Sequence, residues 1–260
     1  RSDMVKVRTA ILSASRTDTV QYTTVSLGTT YPSRVIAMNP PPPTGTLRTT
    51  EKHNIIIQGE TRKEIGTRFL EYQPGYNELD AGVIRYENSV LYLDQRGGSG
   101  GVAIIEEQNI VANNSNNARI PVLKKEYSES SAGRVAIEIQ PVGEDTKTVG
   151  VVPNDQGNVS ISIPTRLSED YWNRSDVPVA GFVSSSDGIN YVNITRSIDS
   201  VEFNTVGADS APDGIDIEEE FKGVRPVENA PGGPFAYRDS SNNLNYDSGE
   251  TKYSEDELYD

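Results

Sequence analysis

The 260-residue sequence predicts a mainly β protein: an antiparallel β-sandwich, or a closely related barrel, with a short helix at its N-terminal end. Three observations point there. From about residue 20 to residue 205 the apolar residues recur with a period of two in short, β-branched runs. Gly, Pro, Asn and Asp stand between those runs, the chain holding 22 Gly and 15 Pro. Hydrophobic residues make up 35% and mean hydropathy is -0.53, which suits a loop-rich β protein better than a helical one. The length nevertheless allows a sizeable core.

The helix comes first. In SDMVKVRTAILSAS, Met4, Val7, Ile11 and Ala14 fall at helical spacing behind a Ser2/Asp3 cap candidate. Strands are then expected over VQYTTVSLGT, SRVIAM, NIIIQ, SVLYLDQ, GVAIIEEQNIV, RVAIEIQ, NVSISIP, INYVNIT and SVEFNTV. Alternation places Val135, Ile137 and Ile139 on one face of a strand, and Val159, Ile161 and Ile163 on one face of another. NPPPPTG at 39–45 is a stiff polyproline connector, and RGGSGG at 96–101 is a hairpin turn between two strands. After FNTVGAD the alternation stops. The chain is therefore read as a β body over 1–205, an acidic Pro/Gly linker over 206–237 and a C-terminal segment over 238–260.

Charge supports that division. The formal net charge is -14, and Val206–Asp260 carries 14 acidic against 4 basic residues, whereas residues 1–205 carry 24 against 20. Nothing resembles the basic stripe that phosphate neutralisation requires, so a nucleic-acid partner is not expected. The absence of Cys excludes disulfides and thiolate chemistry, and one His, His53, leaves little for an imidazole zinc site; it is read as an ordinary surface residue. No apolar run approaches the roughly 18–20 residues of a membrane-spanning helix. Because the chain opens on Arg1, membrane contact is expected only through a segment preceding it.

The C-terminal segment carries a register. Counting Asp239 as position 1 of a 12-residue loop places Ser241 at 3, Asn243 at 5, Asn245 at 7, Asp247 at 9 and Glu250 at 12, the ligand positions of an EF-hand-type calcium loop. Calcium, a hard ion, wants about six to eight oxygens, and a terminal Glu can close the site with two of them. Position 6 is Leu244 where Gly is usual, and YSEDELYD, with Ser254 three before Glu257, looks like a helix start. The bland alternative is a solvated acidic tail.

Enzyme motifs are weaker. Gly97–Gly101 matches G-x-S-x-G, but a nucleophile elbow needs a helix after the turn and here a strand follows. Glu71, Glu78, Asp80 and Glu87 lie close in sequence to Tyr72, Tyr76 and Tyr86. That pattern suits either a glycoside hydrolase or, more readily, a surface whose Tyr72, Tyr76 and Tyr86 rings bind glycan or a partner. Sequons at Asn113, Asn158, Asn173 and Asn193 suit an exported, glycosylated protein.

Several stretches together carry a resemblance: DMVKVRTAILSASRTDTVQYTTVSLGTTYPSRVIAMNPPPPTGTLRT, TRFLEYQPGYNELDAGVIRYENSVLYLD and VAIIEEQNIV. They resemble haloarchaeal surface proteins that begin with a type IV pilin-like or archaellin-like hydrophobic segment, and residues 239–250 resemble dockerin-like calcium loops. The resemblance implies a membrane-anchored or filament-forming ectodomain outside an archaeal cell, with residues 3–15 continuing the anchoring helix and with copies of itself or other surface proteins as partners. The expected function is a non-enzymatic, extracellular structural protein with a calcium-stabilised C-terminal junction. An adhesion module binding glycan or a partner is the alternative, and a glycoside hydrolase the third.

Overall fold

The computed structural model describes residues 1–17, 19–28, 44–75, 82–110, 117–142, 147–149, 155, 157–175, 177, 179–196 and 200–212, together with 224–227, 235–238 and 252–253. They fall into two compact units, Arg1–Pro212 and Asp213–Asp260. The first unit is mainly β with an N-terminal helix, and its sheets are mostly antiparallel, as the alternation predicts.

Helix α1 (Ser2–Thr17) buries Met4, Val7, Ala10, Ile11 and Ala14 along one stripe. A lone helix of this length is marginal in water, whereas each fully buried Val, Ile or Met contributes about 1.5–3 kcal/mol. Packing, not propensity, makes the helix. Asp3 is not its cap: it lies within the helix, where its Oδ2 accepts a 2.9 Å bond from the Ser26 amide and so ties α1 to the following strand.

Three sheets complete the unit. The first contains β1 (Gln21–Ser26), β9 (Asn117–Leu123), β11 (Arg134–Pro141), β12 (Lys147–Val149) and β16 (Ser200–Ser210). β11 and β12 follow each other antiparallel along β16, and β9 lies parallel to it. The second has the order β10-β2-β5-β6-β7-β8, built from β2 (Gly45–Thr49), β5 (Leu70–Gln73), β6 (Val83–Glu87), β7 (Val90–Asp94), β8 (Val102–Glu106) and β10 (Ser128–Ser131). The third runs β14-β15-β13-β3-β4, from β3 (His53–Gln58), β4 (Arg62–Thr67), β13 (Val159–Thr165), β14 (Val179–Val183) and β15 (Asn190–Arg196). A short helix α2 (Glu169–Arg174) follows β13.

Two apolar clusters fill the unit. One joins α1 to the first and second sheets through Val25, Ile137, Ile139, Leu47, Leu70, Tyr86 and Leu91. The other joins the third sheet to the first two through Ile57, Ile161, Ile163, Ile194, Ile120, Phe203 and Tyr92. Strands β7, β9 and β16 supply residues to both, because successive side chains leave a strand on opposite faces. β16 also crosses the boundary expected at 205/206: Val206 and Ala208 are buried, which keeps the strand in the core as far as Ala208, two residues before its end at Ser210.

The second unit contains β17 (Val224–Val227), β18 (Phe235–Arg238) and β19 (Lys252–Tyr253) in one antiparallel sheet. β17 falls within the stretch read from sequence as linker and β18 straddles its end at 237/238, where VRPV and FAYR are short apolar and aromatic runs among acidic residues.

Candidate functional site

The second sheet has two unlike faces. Leu47, Leu70, Ile84, Tyr86 and Leu91 point toward α1 and the first sheet. The side chains between them carry charge. Arg48 lies opposite Glu71 and Glu71 opposite Arg85, a ladder of alternating sign across β2, β5 and β6 that ends on Tyr92 of β7, opposite Arg85. Arg85 pairs with Glu71 and reaches Asp94 Oδ2 from Nε at 3.2 Å. Arg48 adds a pair to Glu71 at 3.3 Å from the solvent side.

The corner after β13 covers this ladder. Arg166 donates from Nη1 to Glu71 Oε1 at 3.1 Å, and its guanidinium carbon lies 5.9 Å from the centre of the Phe69 ring. Arg96, in the turn between β7 and β8, holds Asp94 with Nε at 2.9 Å and Nη2 at 2.8 Å and donates from Nη1 to the Arg166 carbonyl at 3.0 Å. Chiefly through the hydrogen bond from Arg96, the Asp94 pKa falls from the usual carboxylate range to about 2. A cleft of about 460 Å³ opens over Arg85, Asp94, Arg96 and Arg166, rimmed by Gly82 and Gly188.

Glu87 lies on the same face and in a different chemical setting. It is fully buried and accepts from Thr165 Oγ1 at 2.5 Å, Tyr92 Oη at 3.0 Å and the Arg166 amide at 3.1 and 3.2 Å. Thr165 Oγ1 in turn accepts from Trp172 Nε1 and the Leu167 amide, both at 3.1 Å. Burial pushes the Glu87 pKa up against these donors. The turn that follows is itself buried: Asn88 and Ser89 have φ of 46° and 71°, as a two-residue hairpin turn of the primed type requires. Asn88 Nδ2 donates to the Pro164 carbonyl at 2.6 Å, Ser89 Oγ accepts from the Asn109 amide at 2.7 Å, and Arg8 Nε of α1 donates to the Ser89 carbonyl at 2.7 Å.

The expected tyrosine–carboxylate grouping comes apart on this sheet. Tyr72 and Tyr86 pack toward α1, whereas Glu71 and Glu87 project from the opposite face, because neighbours along a strand alternate. Tyr86 is 2% exposed and presents no ring to a ligand; Tyr72 is half-buried and donates from Oη to the Ser26 carbonyl at 3.1 Å. Tyr76, Glu78 and Asp80 lie outside the described residues, as do Asn113 and the whole of the expected calcium loop, Asp239, Ser241, Asn243, Asn245, Asp247 and Glu250. His53 is not the surface residue expected: its ring packs 4.9 Å from that of Phe69, and burial lowers its pKa. Gly97–Gly101 lies in the β7–β8 hairpin, as its setting predicts. Asn173 is exposed on α2 and Asn193 half-buried in β15, while Asn158 is engaged within the fold.

Sequence reading missed Thr165 and Arg166, which reach Glu87 and Glu71 across the fold from far along the chain, and Trp172, which braces Thr165. The local signal was the Asn88–Ser89 pair between two alternating runs, which marks a hairpin but not what closes over it. A second cleft, of about 710 Å³, lies between β8 and α2 and is lined by Val102, Ile104, Leu167 and Tyr171 together with Arg96 and Arg174. Tyr171 donates to Glu107 Oε2 at 2.9 Å beside it. Set against family models, curated proteins and solved structures, the chain finds no match in any of the three.

Proposed function

We propose that the chain is a non-enzymatic structural module of the cell exterior, a pilin-like or membrane-anchored ectodomain whose C-terminal junction is ordered by calcium. The observation that carries this reading is the seating of α1: Met4, Val7 and Ile11 are at most 1% exposed against the sheets, so the helix is a fixed strut of the β body. Such a helix transmits position and load from whatever holds it to the sheets. The buried carboxylates suit the same role, since Glu71, Glu87 and Asp94 are each held by several donors. For calcium, support comes from the β18–β19 pairing: Tyr237 lies opposite Lys252, so the strands that flank the 239–250 stretch on either side are neighbours.

The experiment is protease treatment of intact native cells followed by detection of the chain. Removal from the surface, with an internal marker untouched, is expected; a chain found only inside the cell overturns the proposal. The calcium part is read by calorimetry on the full chain and on Glu250→Gln, with saturable binding in the first and its loss in the second.

The cleft between β8 and α2 favours one second reading, an adhesion module that binds glycan. Its Tyr171, Arg96 and Arg174 combine an aromatic ring with hydrogen-bond donors. A glycan array would show binding that is lost in Tyr171→Ala.

A further inference from the structure

We propose that Asn193 carries an N-linked saccharide on the outer face of the third sheet, an inference that rests on the exported reading above. Asn193 opens the sequon Asn193-Ile194-Thr195 in the middle of β15. Val192 and Ile194 on either side of it are 0% exposed, so the period of two turns Asn193 and Thr195 toward solvent. Among the described residues no hydrogen bond engages the side-chain amide of Asn193.

Its neighbours are the telling part. Asn193 lies between Ser162 of β13 and Gly181 of β14. A Cβ built on Gly181 would stand 3.9 Å from Asn193 Nδ2 and meet nothing else within 4 Å. A side chain at 181 would thus stand in contact with that amide, and glycine leaves this side of it uncovered. Asn and Gly are both poor strand formers, and here they face each other inside a sheet. A local choice that works against the fold marks a second use for the pair. The surrounding Ser160, Ser162 and Thr195 are small and hydroxylic, and Thr195 Oγ1 lies 3.3 Å from Ser160 Oγ. They offer a first sugar both room and hydrogen-bond partners.

The co-reactant is a saccharide carried on a lipid phosphate. Asn193 Nδ2 attacks the anomeric carbon, the bond from that carbon to the phosphate oxygen breaks, the lipid phosphate leaves with the electron pair, and Nδ2 loses one proton. No redox partner is needed. A strand paired on both sides cannot enter a transferase cleft, so attachment precedes folding of the sheet, and the Gly181 clearing lets the sheet close around the attached sugar.

The test is mass spectrometry of the peptide containing Asn193, taken from protein purified from its native host, beside Thr195→Val and Gly181→Leu variants expressed there. A saccharide mass on Asn193, lost in Thr195→Val although the Asn remains, is expected. Gly181→Leu should lower the melting temperature of the glycosylated protein more than that of the same variant made without glycan. An unmodified Asn193 peptide from protein that is present at the cell surface overturns this proposal and leaves the surface reading standing. An unmodified peptide from protein confined to the cell interior removes both.

Discussion

Glu87 and Asp94 sit on the same face of the same sheet, Glu87 0% and Asp94 9% exposed, yet the fold pushes their pKa values in opposite directions. Asp94 is held by a guanidinium on either side, Arg96 and Arg85, and stays ionised well into acid. Glu87 receives neutral donors from Thr165, Tyr92 and the Arg166 backbone, and burial outweighs them. Burial alone thus does not decide the state of a carboxylate; the charge of its partners does. The two regions of the sheet also differ in what they demand of the fold: the ladder needs its arginines, and the Glu87 pocket needs its shape.

The largest expected effect comes from removing the arginine that touches both carboxylates of the ladder. Arg85→Met leaves Glu71 and Asp94 buried with fewer partners and should destabilise by about 3–5 kcal/mol, read from urea unfolding at neutral pH. Next is the acid limb. Because the folded pKa of Asp94 lies below its unfolded value, its contribution is present above about pH 4 and lost as the pH falls toward 2. The shift corresponds to about 2 kcal/mol, and Asp94→Asn should remove that part of the pH dependence.

Glu87 carries the opposite sign. Its folded pKa is raised, so its contribution to stability is greatest below the ordinary carboxyl range and is lost as the pH rises through the folded value. Glu87→Gln should flatten that slope while changing stability at neutral pH by only about 1 kcal/mol, since an amide can still accept from Thr165. An unchanged slope would show that Glu87 does not titrate in that window. The smallest effect is expected at Arg48, whose side chain is 57% exposed: Arg48→Ala should cost less than about 1 kcal/mol and should lose even that in high salt.

Much of the fold was legible because its strands obey a strict alternation. NIIIQ, RVAIEIQ, NVSISIP and INYVNIT became β3, β11, β13 and β15, and Met4, Val7, Ile11 and Ala14 became the buried stripe of α1. Of the strands that escaped, which include β2, β5, β6, β10 and β14, two have identifiable reasons. β4 is an edge strand whose first half is Arg62, Lys63 and Glu64, charges that guard an open edge and hide its pattern. β9 contains Pro121, which argues against a strand, but it pairs in parallel with β16 at that residue. Helix α2 spans six residues, too few for a helical period to show.

The site was less legible than the fold. Glu71 and Glu87 drew attention through neighbouring tyrosines that turn out to face the other way. What fixes those carboxylates is Thr165 and Arg166, 78 and 95 residues from their respective partners, and no local pattern encodes so distant a pairing.

The place of β16 in the chain has a consequence for how the module is made. It is the last strand of the first unit, yet β9, β11 and β12 all pair with it, and its residues enter both apolar clusters. Neither cluster can close until residues 200–210 have been synthesised, and α1, the first element, must wait for that last strand to complete its seat. The pairings of β16 and the seat of α1 thus join residues far apart in sequence, which slows folding. Local hairpins such as β3–β4 and β6–β7 can pair early, but the two clusters close only as a late, single event.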